Sequence, residues 1–307
     1  MPDHDLAVIV VSYNTVALLE ACLGALVSSL ERFGPPDSQI IVVDNRSIDG
    51  SPAMVRARFP TVDVLEPGEN LGFAAANNRA LRRVDADKVL FLNPDTEVLG
   101  DAVAALVRYL DGHQSVGVVS GRLLYPDLRF QHSAFHFPTI AMSFLDFFPI
   151  NHRLTNARLN GRYLRRRYKA PMAIDHPLGA CMLTRAEVIQ RVGGFDEGFF
   201  MYCEEVDWCL RVKRAGWDVH YTPDAEIVHH AGASSRQNAG SMLIQLHRSR
   251  DRFFRKHYGT AFAEVARQIA RLGARNLANA ARDSARRGEI DEIELERRLS
   301  VLEEVGR

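Results

Sequence analysis

The sequence predicts an α/β fold, a mainly parallel sheet with helices on both faces, and two observations predict it. Strands recur as wholly apolar runs, Leu6 to Val11 and Ile40 to Val43, and an amphipathic stretch with helical spacing, Val16 to Leu30, lies between them. The same strand–helix–strand order returns with Val62 to Leu65, a helix from about Ala74 to Arg83, and Lys88 to Leu92. A strand that is apolar on both faces must be covered on both, which parallel strands joined by right-handed helical crossovers achieve. The 307 residues can hold one large or two ordinary domains. With 47% apolar and 25% charged residues, the composition excludes a disordered, collagen-like or disulfide-scaffold chain.

From about Gly121 the texture changes. Phenylalanines occupy positions 130, 135, 137, 144, 147 and 148, and residues 152–169 hold six arginines and one lysine without an acid, the composition of a surface-binding segment. Sheet-like sequence resumes at Ile174 to Leu183. A short helix near Ala186 to Val192 and the turn Gly193-Gly194-Phe195-Asp196-Glu197 follow, then a helix from about Glu204 to Ala215. Short strands are expected around Asp218 to Tyr221 and Ala225 to Val228, and a helix from about Met242 to His257. Beyond Gly259 the chain is helix-prone, with Phe262, Val265, Ile269 and Leu272 in 3,4,3 spacing and Gly288 dividing it in two. Such a stripe packs back on the body or meets a partner helix. With so few heptads the first reading leads.

Lys plus Arg (38) equals Asp plus Glu (38), so the chain lacks the basic field by which non-specific nucleic-acid binders displace counterions, and no nucleic-acid partner is expected. Cys22, Cys181, Cys203 and Cys209 show no CxxC spacing and read as small buried hydrophobes. The polar, acidic start Met1 to Asp5 has neither the basic nor the apolar region of an export signal. Ala134 to Ile150 contains His136, Asp146 and two prolines, whereas a spanning helix needs about 20 mostly apolar residues. The expected location is therefore the cytoplasm.

In open parallel sheets ligands sit beyond the carboxyl ends of the strands. Three such ends are polar here: Ser12-Tyr13-Asn14-Thr15, Asp44-Asn45-Arg46-Ser47 and Asn93-Pro94-Asp95-Thr96-Glu97. The first has no glycine to admit a dinucleotide pyrophosphate, and no Gly-Lys-Ser/Thr step exists for a P-loop, so nicotinamide enzymes and P-loop NTPases are excluded. Asp95 suits either a turn or a divalent cation bridging phosphates, for which hard oxygen ligands fit Mg²⁺ or Mn²⁺. Asp44 either caps its turn or accepts the imide N–H of a pyrimidine base. His229, at the end of another strand, is a simple hydrogen-bonded histidine or a metal ligand. Glu204, Glu205 and Asp207 favour the start of a helix, yet they follow the apolar run Phe199 to Cys203. One of them can therefore be a general base tuned by desolvation. Helical spacing sets Glu204, Asp207 and Arg211 on one face and turns Glu205 elsewhere.

Seven motifs in order carry a resemblance over about residues 6–258: Val11-Ser12-Tyr13-Asn14, Val42 to Ser47, Asn70-Leu71-Gly72-Phe73 with Asn77-Asn78, Asn93-Pro94-Asp95, Gly179-Ala180-Cys181-Met182, Gly193 to Glu197, and Glu204-Glu205-Val206-Asp207. The chain resembles the family-2 glycosyltransferases, most closely the bacterial rhamnosyltransferase-like members that build cell-wall and surface polysaccharides. The resemblance implies a GT-A fold (Rossmann-like), a UDP- or dTDP-sugar donor, a Mg²⁺ or Mn²⁺ ion, and inverting transfer to a glycan or polyprenyl-diphosphate-linked acceptor. It assigns Asp44 to the uracil or thymine, Ser12 and Tyr13 to the nucleoside, and Asn70 to base or ribose. Asn93 and Asp95 fall on the family's Asp-x-Asp metal motif, and Asn93 replaces its first acid. His229 falls near the metal and diphosphate. Glu205 falls on the catalytic base, where family members often carry Asp.

These expectations divide the chain into a glycosyltransferase domain, 1–258, with a nucleotide-sugar half to about 120 and an acceptor half from about 121, and a helical appendage, 259–307. A peripheral contact with the inner face of the cell membrane is expected from Phe135 to Lys169, because aromatics suit the interface and arginines suit anionic headgroups. Competing readings are a sugar-nucleotide pyrophosphorylase, which would carry a Gly-rich phosphate loop after the first strand, and a sugar-nucleotide-binding or membrane-docking protein without turnover.

Overall fold

Every residue from Leu6 to Ser12 is buried, so β1 (His4–Ser12) lies inside the sheet rather than at its edge. In the computed structural model, which describes residues 2–35, 37–148, 158–231 and 239–306, β1 pairs in parallel with β2 (Ser38–Asp44) and, across β3 (Asp63–Leu65) in chain order, with β4 (Ala86–Leu92). β5 (Thr96–Val98), β6 (Val116–Leu124), the two-residue strands β7 (Phe130–Gln131), β8 (Ala134–Phe135), β9 (Met172–Ala173) and β10 (His176–Pro177), then β11 (Cys181–Arg185) and β12 (Asp218–His229) follow. The main sheet runs β3-β2-β1-β4-β11-β6-β12-β5, with β7 beside β6 and β9 beside β12. β11 is antiparallel to both neighbours, so the sheet is mixed, with parallel pairing among β1 to β4 and again between β6 and β12. Asn93 N–H donates to Ala180 O (2.9 Å), which brings the residues preceding β11 to the edge where β4 ends.

Where the sequence predicts two short strands between 218 and 228, one continuous strand is found. Its pairing with β6 shifts between Tyr221 and Glu226, the interval that holds Pro223, which has no N–H for the ladder.

The helices are α1 (Val16–Phe33), α2 (Ser51–Arg58), α3 (Gly72–Leu81), α4 (Ala102–Gly112), α5 (Ile140–Phe147), α6 (Ala186–Val192), α7 (Glu204–Arg214), α8 (Ala239–His257), α9 (Thr260–Arg286) and α10 (Glu292–Gly306). The chain forms two compact units. The first, Met1–His136, Tyr163–Phe200 and Glu204–Ser234, holds the sheet; the second, Phe137–Arg162, Met201–Cys203 and Ser235–Arg307, is helical. In the first unit, α1 and α4 cover one face through Leu19, Leu23, Leu26, Leu106 and Leu110, which join the core with Val8, Val10, Leu90 and Leu92. All four cysteines are buried and unbridged.

In the helical unit the fully buried line of α9 is made of small residues. Ala263, Ala266, Ala270, Gly273 and Ala274 are buried, and a Cβ on Gly273 would lie 2.2 Å from the Phe147 ring. Small residues let a helix approach its neighbours closely. The 3,4,3 stripe is consequently split: Phe262 packs on Phe254 and Tyr258 and Ile269 is half-buried, while Val265 is 51% and Leu272 56% exposed. No helix among the described residues is long and apolar enough to cross a membrane.

Candidate active site

The register of the parallel strands gathers the polar ends at one edge. Ser12 lies beside Asp44, and Val10 beside Leu92, so residues 12–15, 44–47 and 93–96 leave the sheet together. Two of these loops are stitched by Asn14 N–H donating to Ser47 Oγ (2.9 Å) and Ile48 N–H donating to Asn14 Oδ1 (2.8 Å). Asn14 and Arg46 take positive φ (52° and 67°), a conformation that such side-chain bonds help to hold.

Asp44 is almost fully buried. Its Oδ2 accepts from Ser47 N–H (2.8 Å), while Oδ1, also buried, has no hydrogen-bond partner among the described residues. Burying an acceptor unmet costs about 1–3 kcal/mol, so Oδ1 is a place where an incoming N–H is rewarded. Tyr13 is 47% exposed and leaves its ring available at this edge. Ser12 is different: its hydroxyl is buried and shares a hydrogen bond with Thr15 Oγ1 (3.0 Å).

Asn70 is exposed, and its Oδ1 accepts from Gly72 N–H (3.0 Å), opening α3. Buried Asn45 donates through Nδ2 to Gly72 O (3.0 Å) and accepts at Oδ1 from Leu71 N–H (3.3 Å). Gly72 has φ of +76°, and a Cβ there would meet Phe200 O at 2.2 Å. Phe73 N–H donates to that same carbonyl (2.7 Å). Much of the Asn-Leu-Gly-Phe motif is thus a clasp between β2, α3 and the segment before α7.

Asp95 and His229 meet where β5 runs antiparallel to β12, with Thr96 opposite His229. Both are buried, and Asp95 Oδ1 lies 3.5 Å from His229 Nε2. The neighbouring His230 is drawn to Glu97 (Nε2 to Oε1, 2.6 Å), and its N–H donates to Asp95 O (2.9 Å). Asn93 Oδ1 is buried with no hydrogen-bond partner among the described residues. A carboxylate, an amide oxygen and an imidazole nitrogen fit a hard or borderline divalent cation. Among the described residues no three His, Cys, Asp or Glu side chains cluster as a metal cage. These residues would therefore hold a cation only with ligands added by a bound diphosphate.

Glu204 and Glu205 open α7, next to Tyr202 and Cys203 with positive φ (67° and 64°). The Glu205 side chain lies over Gly179, where a Cβ would touch it at 3.4–3.7 Å, one residue before the Ala180 carbonyl that binds Asn93 N–H. Each carboxyl has an oxygen, Oε2, that is buried and lacks a hydrogen-bond partner among the described residues. Desolvation pushes the Glu205 carboxyl up to about 7, against the pull of the backbone N–H groups of Glu205 and Val206. Desolvation, and then the charge of Glu205, hold Glu204 well above the usual carboxylate range. Burial therefore raises both carboxyls, and their proximity disfavours ionising both at once. Asp207 is paired instead with Arg211 (Oδ2 to Nε, 2.8 Å).

The Gly193 to Glu197 turn mounts this helix. Arg211 donates to Val192 O (2.9 Å) and Gly194 O (2.8 Å), and Trp208 Nε1 donates to Gly193 O (2.9 Å). Asn78 brackets the turn, accepting from Phe195 N–H (2.9 Å) and donating to Phe195 O (2.8 Å). Phe195 in turn packs edge-on against Phe91 of β4 (4.9 Å between ring centroids) and beside Trp208 (5.4 Å). One residue that the spacing does not single out belongs to this edge: Gln131, whose Oε1 lies 3.2 Å from His229 Nδ1.

Comparison with known proteins identifies the family and the fold. Residues 7–193 match Glycosyl transferase family 2. The N-acetylglucosaminyl-diphospho-decaprenol L-rhamnosyltransferase of Mycobacterium tuberculosis is 31% identical over 260 residues, covering 80% of this chain and 82% of its own. The dTDP-rhamnosyl transferase RfbF of Shigella flexneri is 24% identical over 261 residues, covering 82% and 78%. Among solved structures, the mannosyltransferase PcManGT from Pyrobaculum calidifontis, in complex with GDP-Man and Mn²⁺, shares the fold with a TM-score of 0.56 at 19% identity, over 99% of this chain and 87% of its own. The fold is the GT-A type that the motifs imply, and the chain belongs to glycosyl transferase family 2 as a glycosyltransferase.

Proposed function

We propose that the enzyme transfers a sugar, rhamnose or a close deoxyhexose, from a dTDP- or UDP-linked donor to a glycan or polyprenyl-diphosphate-linked acceptor in cell-wall or surface-polysaccharide assembly, with inversion and with a divalent cation. The observation that carries this reading is the pair of buried carboxylate oxygens, Asp44 Oδ1 and Glu205 Oε2, that lack hydrogen-bond partners among the described residues. They serve the two ends of the reaction. Asp44 accepts the imide N–H that uracil and thymine share and cytosine and adenine lack, while Tyr13 lies against the nucleoside. Asp95 and His229, with Asn93 of the same strand-end loop, would hold the cation, which when bound would supply charge compensation to the departing diphosphate. Glu205 takes the proton from the acceptor hydroxyl as its oxygen bonds to the anomeric carbon and the bond to the diphosphate oxygen breaks. A single displacement of this kind inverts the anomeric centre. The sugar and the lipid-linked acceptor are suggested by what the Mycobacterium and Shigella relatives are named for.

A transfer assay tests it, pairing dTDP-rhamnose, UDP-glucose and UDP-N-acetylglucosamine with a short polyprenyl-diphosphate N-acetylglucosamine acceptor. Transfer from dTDP-rhamnose that stops with EDTA or with Asp95→Ala, in a folded variant, is expected. Equal turnover in EDTA overturns the metal assignment, and a product that keeps the donor's configuration overturns the single displacement.

A membrane-facing role for part of 135–169 is a further proposal. Residues 149–157 lie outside the described residues. In what is described of the segment's carboxyl end, Tyr163 and Tyr168 are buried while Leu164, Arg165, Arg166, Arg167 and Lys169 are exposed. Beside Arg165, which lies over the Phe130 ring, an open groove of about 690 Å³ also takes in Tyr125, Leu128 and Arg129. Exposed apolar side chains among arginines suit an anionic bilayer surface. Flotation with vesicles containing phosphatidylglycerol should be lost when Arg165, Arg166 and Arg167 are all changed to Glu; binding that is indifferent to anionic lipid sinks the idea.

A further inference from the structure

The buried contact between β7 and the end of β12 extends the metal reading, on which this inference rests, to a residue that no motif marks. Gln131 and His229 are both more than nine-tenths buried, and they flank the end of β6: Gln131 pairs with Leu123, and Val228, the neighbour of His229, pairs with Leu124. Gln131 Oε1 lies 3.2 Å from His229 Nδ1, and the opposite ring nitrogen, Nε2, lies 3.5 Å from Asp95 Oδ1.

A neutral imidazole has one N–H and one lone pair, so its two neighbours decide which nitrogen carries which. Two arrangements are open. If Nε2 carried the proton, it would donate to the Asp95 carboxylate, and such a bond to a charged oxygen closes to about 2.7–2.9 Å. The observed 3.5 Å is too long for that. If Nδ1 carries the proton, it donates to Gln131 Oε1, and Nε2 presents its lone pair to the same space as Asp95 Oδ1. Two acceptors then face one another across a gap that a cation would fill.

We propose that Gln131 is a positioning residue for the metal site: by accepting from His229 Nδ1–H it fixes the tautomer and ring orientation that make Nε2 a ligand beside Asp95. An amide oxygen does this without adding charge to the site. Outer partners of ligating histidines typically contribute about 10–100-fold to metal affinity.

The test measures Mn²⁺ binding directly, by the electron paramagnetic resonance signal of free Mn²⁺ titrated with the full chain in the presence of dTDP or UDP. Circular dichroism and melting temperature verify the fold of each variant. Gln131→Leu, which has no acceptor, should weaken Mn²⁺ binding by about 10–100-fold. Gln131→Glu, which can only accept from Nδ1–H, should restore binding to the wild-type level or tighter. Unchanged affinity in folded Gln131→Leu overturns the proposal, and so does a Gln131→Glu variant as weak as Gln131→Leu, because that pattern means the amide nitrogen donates to Nδ1. If wild type takes up no Mn²⁺ with either nucleotide, the metal reading itself falls and this inference with it, an outcome distinct from normal wild-type binding that ignores Gln131.

Discussion

Glu205, the proposed base, is a side chain whose burial is costly to the fold. Its carboxyl is raised to about 7 chiefly by desolvation, and a base is most useful when its pKa lies near the working pH. Transfer should therefore rise with pH through about 7 and level off above it. Glu205→Gln keeps the shape and removes the basicity: transfer should fall by about 10²–10⁴ while dTDP or UDP affinity stays within a few-fold. Glu205→Asp should keep part of the rate. Near-normal transfer by Glu205→Gln, with Glu204→Gln inactive, moves the role to Glu204. Stability gives an independent readout. The folded chain binds this proton more tightly than the unfolded chain, whose carboxyl titrates near 4.5, so stability is lost as pH rises from there through about 7. Glu205→Gln should consequently melt higher than wild type at about pH 8, with the difference closing below about pH 4.5.

At the scale of elements, the motifs divide into those that face the chemistry and those that mount it. Gly72 belongs to the second group. With φ of +76° and a Cβ path blocked by Phe200 O at 2.2 Å, Gly72→Ala must move either α3 or the segment that leads to α7. A loss of more than about 1 kcal/mol of stability is expected, with transfer reduced because the mounting of Glu205 shifts. A variant as stable and active as wild type would show that the clasp is dispensable. The same division explains what the sequence discloses. β1, β2 and β4 are legible because burial on both faces demands unbroken apolar runs, and their polar ends are legible because a charged group after such a run needs a reason. That Glu205 turns away from Asp207 and Arg211 is legible from helical spacing alone. Gln131 is not, because the contact it makes depends on β7 folding back on β6, a two-residue pairing with no periodicity to read. The stripe of α9 is only partly informative for a related reason: Phe262 packs on Phe254 and Tyr258 while Val265 and Leu272 face outward, because the most buried line of the helix is set by Ala and Gly, which permit closer approach than Val and Leu.

At the scale of the whole molecule, every residue proposed for donor, cation and base lies in the sheet-containing unit, and none in the helical unit. A ligand that binds only the folded state stabilises it by RT ln(1 + [L]/Kd), about 2.7 kcal/mol at about one hundred times Kd. For a domain of this size each kcal/mol moves the midpoint by about 2–4 °C, so saturating dTDP or UDP with Mn²⁺ should raise the melting of the sheet unit by several degrees. Hydrogen exchange can resolve where that stabilisation is felt. Protection should increase in peptides that carry residues 12–15, 44–48 and 93–97, whose backbone amides line the polar strand ends, and stay unchanged in residues 260–286. Cytidine diphosphate serves as the control, because cytosine lacks the imide N–H that Asp44 Oδ1 is proposed to accept. It should give a smaller shift than UDP, and Asp44→Asn should shrink the difference between them. Equal stabilisation by the two nucleotides, or protection that spreads evenly over the helical unit, would remove Asp44 from the donor site.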